Sequence, residues 1–163
     1  MILKMLQRET VAFLAAVRFF TRIPIPDRVP HSAESLNHAA RYFPAVGLLV
    51  GSISAIAFLI ATLFVPSSVA VLIAMGSSIY LTGAFHEDGL SDMTDGLGGG
   101  WEKMRILEIM KDSRVGSYGV IAISMALMSK FVLLDNFDPI WVPLLLIAAH
   151  AFSRYCAVLI MAG

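Results

Sequence analysis

The sequence predicts an all-α fold: a polytopic bundle of transmembrane helices with an N-terminal amphipathic helix and a cytoplasmic acidic and basic active-site loop. Three observations predict it. Hydrophobic residues make up 58% of the 163 and charged residues 15%, and mean hydropathy is +0.78, far to the apolar side of soluble domains. Uncharged or nearly uncharged runs of about spanning length recur along the chain. Lysine and arginine concentrate in one set of connections, as a membrane topology requires. Formal net charge is zero, so nothing points to nucleic acid as a partner. One cysteine, Cys156, excludes an internal disulfide framework and reads as a small core residue.

The elements follow in order. "MILKMLQRETVAFLAAVRFFTRIPIP" is no signal peptide, because Lys4, Arg8, Glu9 and Arg18 interrupt it and no small-residue cleavage site follows. Leu6, Phe13, Val17 and Phe20 share one helical face. The segment therefore reads as an amphipathic helix at the membrane interface, or as one packed on the bundle, or both. "FPAVGLLVGSISAIAFLIATLF" (43–64) is uncharged and long enough to span. Gly47 and Gly51 within it make a small-xxx-small face for close helix packing. After "VPSS" a second span covers 69–85. A third covers 115–134, with Lys130 near its end, where it can snorkel. "DNFDP" turns the chain into a fourth, 140–163, which carries His150 and Arg154 at i and i+4; such groups are costly in lipid and face the bundle or a cavity.

Orientation comes from the basic residues. Lys4, Arg8, Arg18, Arg22, Arg28 and Arg41 precede the first span, and Lys103, Arg105, Lys111 and Arg114 lie between the second and third. "VPSS" and "DNFDP" hold none. The positive-inside rule then places the N-terminus and the motif region, 86–114, in the cytoplasm. The whole chain, 1–163, reads as a single membrane domain. It ends inside its last apolar run, which suggests a fragment or a short form.

The chemistry concentrates in "HEDGLSDMTDGLGGG", 86–100, where Glu87, Asp88, Asp92 and Asp95 fall within nine residues. With Leu81 to Gly96 as the cytoplasmic end of a membrane helix, Asp92 lies about 40° from Asp88 and Asp95 about 20° to its other side. Three like charges on one stripe weaken a helix unless a cation neutralises them. All-oxygen ligands select a hard ion, magnesium or manganese rather than zinc. His86 reads as a polar cap. Glycines at 89, 96, 98, 99 and 100 would let a backbone or a bulky ligand approach, although "GLGGG" lacks the Lys-Ser/Thr of a P-loop. Downstream, "RILEIMKDSRVGSYG" supplies Arg105, Lys111 and Arg114, with Asp112 between the last two; such cations bind phosphate oxygens. Carboxylates with a metal, faced by cations, suggest phosphoryl transfer. Arg22 and Arg41 are further anion contacts or headgroup contacts.

At these residues the chain resembles the cobalamin synthase family, also called adenosylcobinamide-GDP ribazoletransferase. The resemblance runs through "FFTRIPIP", "RYFPAVGLLVG", "HEDGLSDMTDGLGGG" and "RILEIMKDSRVGSYG", about the first two thirds of the chain. It implies a multi-pass protein of the bacterial or archaeal cytoplasmic (inner) membrane. The implied reaction is magnesium-dependent: adenosylcobinamide-GDP is joined to α-ribazole or its 5′-phosphate and GMP is released, a late step towards vitamin B12. The lipid bilayer is a further partner, and a homo-oligomer is left open. The resemblance implies Glu87, Asp88, Asp92 and Asp95 as the acidic, metal-binding motif, with Lys111, Asp112 and Arg114 as its partner. The acceptor's proton would go to Asp95 or Asp112. Family chains continue into further membrane helices.

Two other readings use the same residues. A CDP-alcohol phosphatidyltransferase or membrane prenyltransferase also sets an Asp-rich helix and magnesium against a diphosphate. An ion-coupled transporter subunit would use carboxylates in an ion pathway, but here the acids gather at one membrane face.

Overall fold

The computed structural model describes residues 2–27, 29 and 32–162; Arg28 and Gly163 lie outside the described residues. Among the described residues there are eight α-helices and no strand: α1 (Ile2–Phe20), α2 (Ala33–Ala39), α3 (Phe43–Ala61), α4 (Ser67–Thr82), α5 (Phe85–Gly99), α6 (Lys103–Met110), α7 (Ser117–Asp135) and α8 (Val142–Ala162). The chain divides into two compact units, Met1–Gly83 with Asp138–Gly163, and Ala84–Phe137.

In the first unit, α1 splits by environment. Its second half buries Ala12, Ala15, Ala16, Val17 and Phe20 in the core, while Met5 and Leu6 remain exposed. Packing on the bundle thus describes residues 12–20, and the free apolar face expected of an interfacial helix describes the start. Phe20 meets Phe43 of α3 edge-on at 4.6 Å, a favoured aromatic geometry. Arg18 fastens the proline-stiffened exit by donating to the carbonyls of Val29 (2.9 Å), Ile25 (2.6 Å) and Pro26 (2.7 Å). Sequence periodicity gives no sign of α2, a short helix. The Ser32 hydroxyl caps it by accepting from the Ser35 N–H at 3.1 Å.

Helix α3 packs on α4 and α8. A Cβ on Gly51 would lie 2.6 Å from the Ile147 Cα, and one on Gly47 would strike the His150 carbonyl. The two glycines therefore bring α3 and α8 into backbone contact, the role expected of a small-residue face. Arg154 of α8 is buried. Its guanidinium lies 5.7 Å from the centre of the Phe20 ring and donates to the His150 carbonyl at 3.2 Å and the Ser153 hydroxyl at 3.1 Å.

Three helical segments are long and apolar enough to cross a membrane, Glu34–Ala61, Ser117–Asp135 and Val142–Met161, and α4 with α5 makes a fourth if that broken pair counts as one. The chain is a multi-pass helical membrane protein. Helices α3, α4, α7 and α8 lie within three residues of the expected runs at each end, and α4, at 16 residues, reaches spanning length only together with α5. The expected helix from Leu81 to Gly96 is corrected: it breaks, because Gly83 and Ala84 both take left-handed backbone angles, with φ of 68° and 59°. Glycine does this freely, whereas alanine there costs about 1 kcal/mol. Arg22 reinforces the break. Its N–H donates to the Leu81 carbonyl at 2.8 Å, and its Nε lies 2.5 Å from where a Gly83 Cβ would stand.

Candidate functional site

The acidic stretch belongs to the second unit and is helical, as expected to Gly96, with α5 running over 85–99; 103–110, expected as part of the polar loop, forms α6. Glu87 and Asp88 occupy the first turn of α5, where the exposed N–H groups and the helix dipole favour negative charge. The three aspartates keep the stripe that their spacing dictates, but their environments form a gradient. Asp88 is exposed, Asp92 half-buried and Asp95 buried.

Both oxygens of Asp95 are hydrogen-bonded. One carboxylate oxygen accepts the Gly116 N–H at 2.7 Å and the other accepts the Gly119 N–H at 2.8 Å. Gly116 is the N-cap of α7, with extended backbone and no side chain to cap with. Its N–H and that of Gly119, three residues on, are donors that a helix start leaves without intrahelical partners. Asp95 reaches across from α5 to satisfy both.

The glycines after Asp95 serve the chain's own packing. A Cβ on Gly96 would stand 2.7 Å from the Met110 Cγ, one on Gly98 2.6 Å from the Tyr118 ring, and one on Gly100 2.8 Å from Ile106. Helices α6 and α7 thus fill the space that the sequence left open to a ligand. Gly89 differs, for nothing lies within 4 Å of a Cβ built there. It sits beside Asp88 and one turn before Asp92, so the upper part of the stripe has room for a bound molecule. Nearby, Glu87 Oε2 and Ser91 Oγ are inaccessible and have no hydrogen-bond partner among the described residues.

The basic residues are engaged locally. Arg114 donates through Nε and Nη2 to Asp112, the shortest contact being 2.6 Å. This hydrogen-bonded guanidinium holds the Asp112 carboxyl below the usual carboxylate range and pushes Arg114 up. Arg105 pairs with Glu108 at 2.8 Å. Lys111 is exposed. No ion pair among the described residues joins these cations to the carboxylates of α5. Arg22 and Arg41 belong to the first unit: Arg22 braces Gly83, and Arg41 donates to Glu9 at 2.6 Å, lining a cleft of about 750 Å³ with Arg8 and His38.

The described residues contain no group of three Asp, Glu, His or Cys side chains close enough to hold a metal. The donor set still fits magnesium in one specific way. That ion takes one or two carboxylates and completes its shell with water and substrate phosphates rather than a cage of protein groups. Asp88 and Asp92, one turn apart beside the open face at Gly89, can supply those two, whereas the Glu87 oxygen is enclosed and does not join them in a three-carboxylate group.

Sequence reasoning missed Ser91, Gly116 and Gly119. A signal was present in "SRVGSYG": a helix that opens on glycine, with no Ser, Thr, Asp or Asn as N-cap, needs a cap from elsewhere.

Comparison with known proteins converges on one family. The family model described as cobalamin-5-phosphate synthase matches residues 12–163. A protein of Shewanella amazonensis named adenosylcobinamide-GDP ribazoletransferase is 55% identical over 130 residues, covering 80% of this chain and 50% of the relative. Proteins of the same name are 49% identical in Shewanella pealeana (93% of this chain, 60% of the relative) and 46% identical in Vibrio parahaemolyticus (93% and 58%). The chain thus spans 50–60% of the length of these relatives. No solved structure matches.

Proposed function

Since the chain belongs to the cobalamin-5-phosphate synthase family, we propose that it carries the diphosphate-handling part of an adenosylcobinamide-GDP ribazoletransferase. The observation that carries this reading is the accessible pair Asp88 and Asp92 on α5, beside the open face at Gly89.

In this reading a hydroxyl of α-ribazole, or of its 5′-phosphate, attacks the phosphorus attached to cobinamide. A P–O bond to the corrinoid's phosphate forms as the bond to GMP breaks, and the hydroxyl proton is released. Asp88 and Asp92 would hold magnesium, which would supply positive charge to the diphosphate oxygens. Lys111 is an exposed point charge for the phosphates, and Arg114, oriented by Asp112, offers a fixed fork. Proton acceptance falls to Asp112 rather than Asp95, because Asp112 is partly exposed whereas Asp95 is buried. The lowered pKa of Asp112 makes it a weak base, so its main contribution is to orient the hydroxyl.

The reading extends to location: the cytoplasmic membrane, with α5 and α6 facing the cytoplasm. The ten basic residues before α3 and between α4 and α7, against none in 62–66 and 136–141, support it.

The test is GMP release from adenosylcobinamide-GDP and α-ribazole by the purified chain in detergent, with magnesium varied. Release should require the metal and fall by about 100-fold or more in Asp88→Ala, as when a positioned charge-stabilising group is lost. Full turnover in that variant removes the role of Asp88. Turnover of CDP-diacylglycerol instead would give the site to the phosphatidyltransferase chemistry.

A further inference from the structure

We propose that Asp95 is a positioning residue: supplied by α5, it acts as the missing N-cap of α7 and so fixes where the 111–116 segment enters that helix. It does this work in place of ligating a metal.

Three observations carry the assignment. Both oxygens of Asp95 are used, by the N–H groups of the N-cap Gly116 and of Gly119. These are the two donors that a capping side chain and a reciprocal capping residue would ordinarily satisfy between them. The carboxylate is 8% exposed, whereas Asp88, two turns away on the same stripe, is exposed. Finally, the glycines are fitted to the carboxylate: a Cβ on Gly116 would strike Asp95 Oδ1, and one on Gly119 would strike Asp95 Oδ2 and Ser91 Oγ. The backbone of Gly116 (φ −90°, ψ 174°) would itself accept any residue. Its lack of a side chain is therefore explained by the carboxylate that occupies the space. A charged acceptor at a helix start gains from the dipole as well as from its hydrogen bonds. Because Lys111, Asp112 and Arg114 lie within five residues before Gly116, the cap sets the exit of the segment that bears them.

This geometry gives a rescue that ligation would not. Asp95→Ala empties the space that a side chain at Gly116 needs, and Gly116→Ser then offers a hydroxyl to the same Gly119 N–H from within the N-cap. Each single substitution should lower the thermal midpoint and speed hydrogen exchange at the first turn of α7. The double variant should recover most of both losses. Asp95→Asn, which keeps one acceptor oxygen, should fall between wild type and alanine, and it serves if the alanine variant does not fold.

The kinetic readout rests on the transferase reading. There, Asp95→Ala should cost about 10–100-fold in kcat through misplacement. Its magnesium half-saturation should stay within about threefold of wild type, while Asp88→Ala raises it by about tenfold or more, the scale of a lost binding contact. Unchanged exchange in Asp95→Ala, or a double variant no better than the worse single, overturns the cap. A raised magnesium requirement in Asp95→Ala that Gly116→Ser leaves uncorrected overturns it in favour of ligation. If the wild-type chain releases no GMP, the transferase reading fails, while the exchange and melting data still decide the cap.

Discussion

Two regions of the molecule use paired glycines to bring helices together, and they do so for opposite reasons. In the first unit, Gly47 and Gly51 let α3 meet the backbone of α8 around Ile147 and His150, and the gain is close van der Waals contact. In the second, Gly116 and Gly119 clear a space for a carboxylate, and the gain is two charge-assisted hydrogen bonds at a helix start. The glycine spacings, i to i+4 and i to i+3, look alike on the page. What distinguishes them is the partner: a second backbone in one case, an anion in the other.

Substitution separates the two pairs, and the largest effect belongs to the first. Gly47→Leu drives a side chain into the α8 backbone, which cannot yield as a rotamer can. Overpacking of this kind should cost about 3 kcal/mol or more, read as a lowered melting midpoint in detergent. Gly119→Ala comes next, at about 1–3 kcal/mol, by displacing Asp95 and leaving buried groups unpaired. With Asp95→Ala already present, the second substitution should cost less, since only the Ser91 hydroxyl, which can rotate, is left to give way, an interaction measurable in a double-mutant cycle. No such relief exists for Gly47, whose obstacle is main chain.

Smaller effects separate stability from function. Gly89→Ala meets nothing within 4 Å and should stabilise α5 by up to about 1 kcal/mol. If the diphosphate docks beside Asp88 and Asp92, the same change should slow GMP release while raising the melting midpoint. The smallest effect concerns Asp112 and Arg114. The lowered pKa of Asp112 means that its contribution to stability is present above its ordinary value of 3.8. That contribution disappears as pH falls through the lower folded value. Between pH 7 and pH 5 the pair should therefore stay intact, with unchanged carboxyl chemical shifts by NMR, and its effect on the midpoint should be slight because both groups meet solvent.

Much of this architecture was legible because lipid makes a strong demand. Uncharged runs such as 43–64 have few alternatives to a spanning helix, and α3, α4, α7 and α8 appear where hydropathy places them. The acidic stripe was legible as well, since helical spacing alone puts Asp88, Asp92 and Asp95 on one side. Three features were not. The break before α5 depends on Ala84 taking a left-handed conformation that no local preference announces. Helix α2 is seven residues long, too short for a periodic signal. The division of labour along the stripe depends on Gly116 and Gly119, more than twenty residues beyond Asp95, and a single sequence does not reveal such a pairing.

Arg154 bears on how the protein is made. A guanidinium well inside an apolar helix of 21 residues costs about 2.5–3.5 kcal/mol at insertion when the helix stands alone. In the folded first unit that charge is shielded by Phe20 and held by carbonyl and hydroxyl acceptors. The shielding ring comes from α1, which leaves the ribosome before α8. Helix α8 is therefore a late arrival whose residence in the bilayer depends on a dock already built, and biogenesis should proceed in that order: α1 and α3 settle first, and α8 is captured against them.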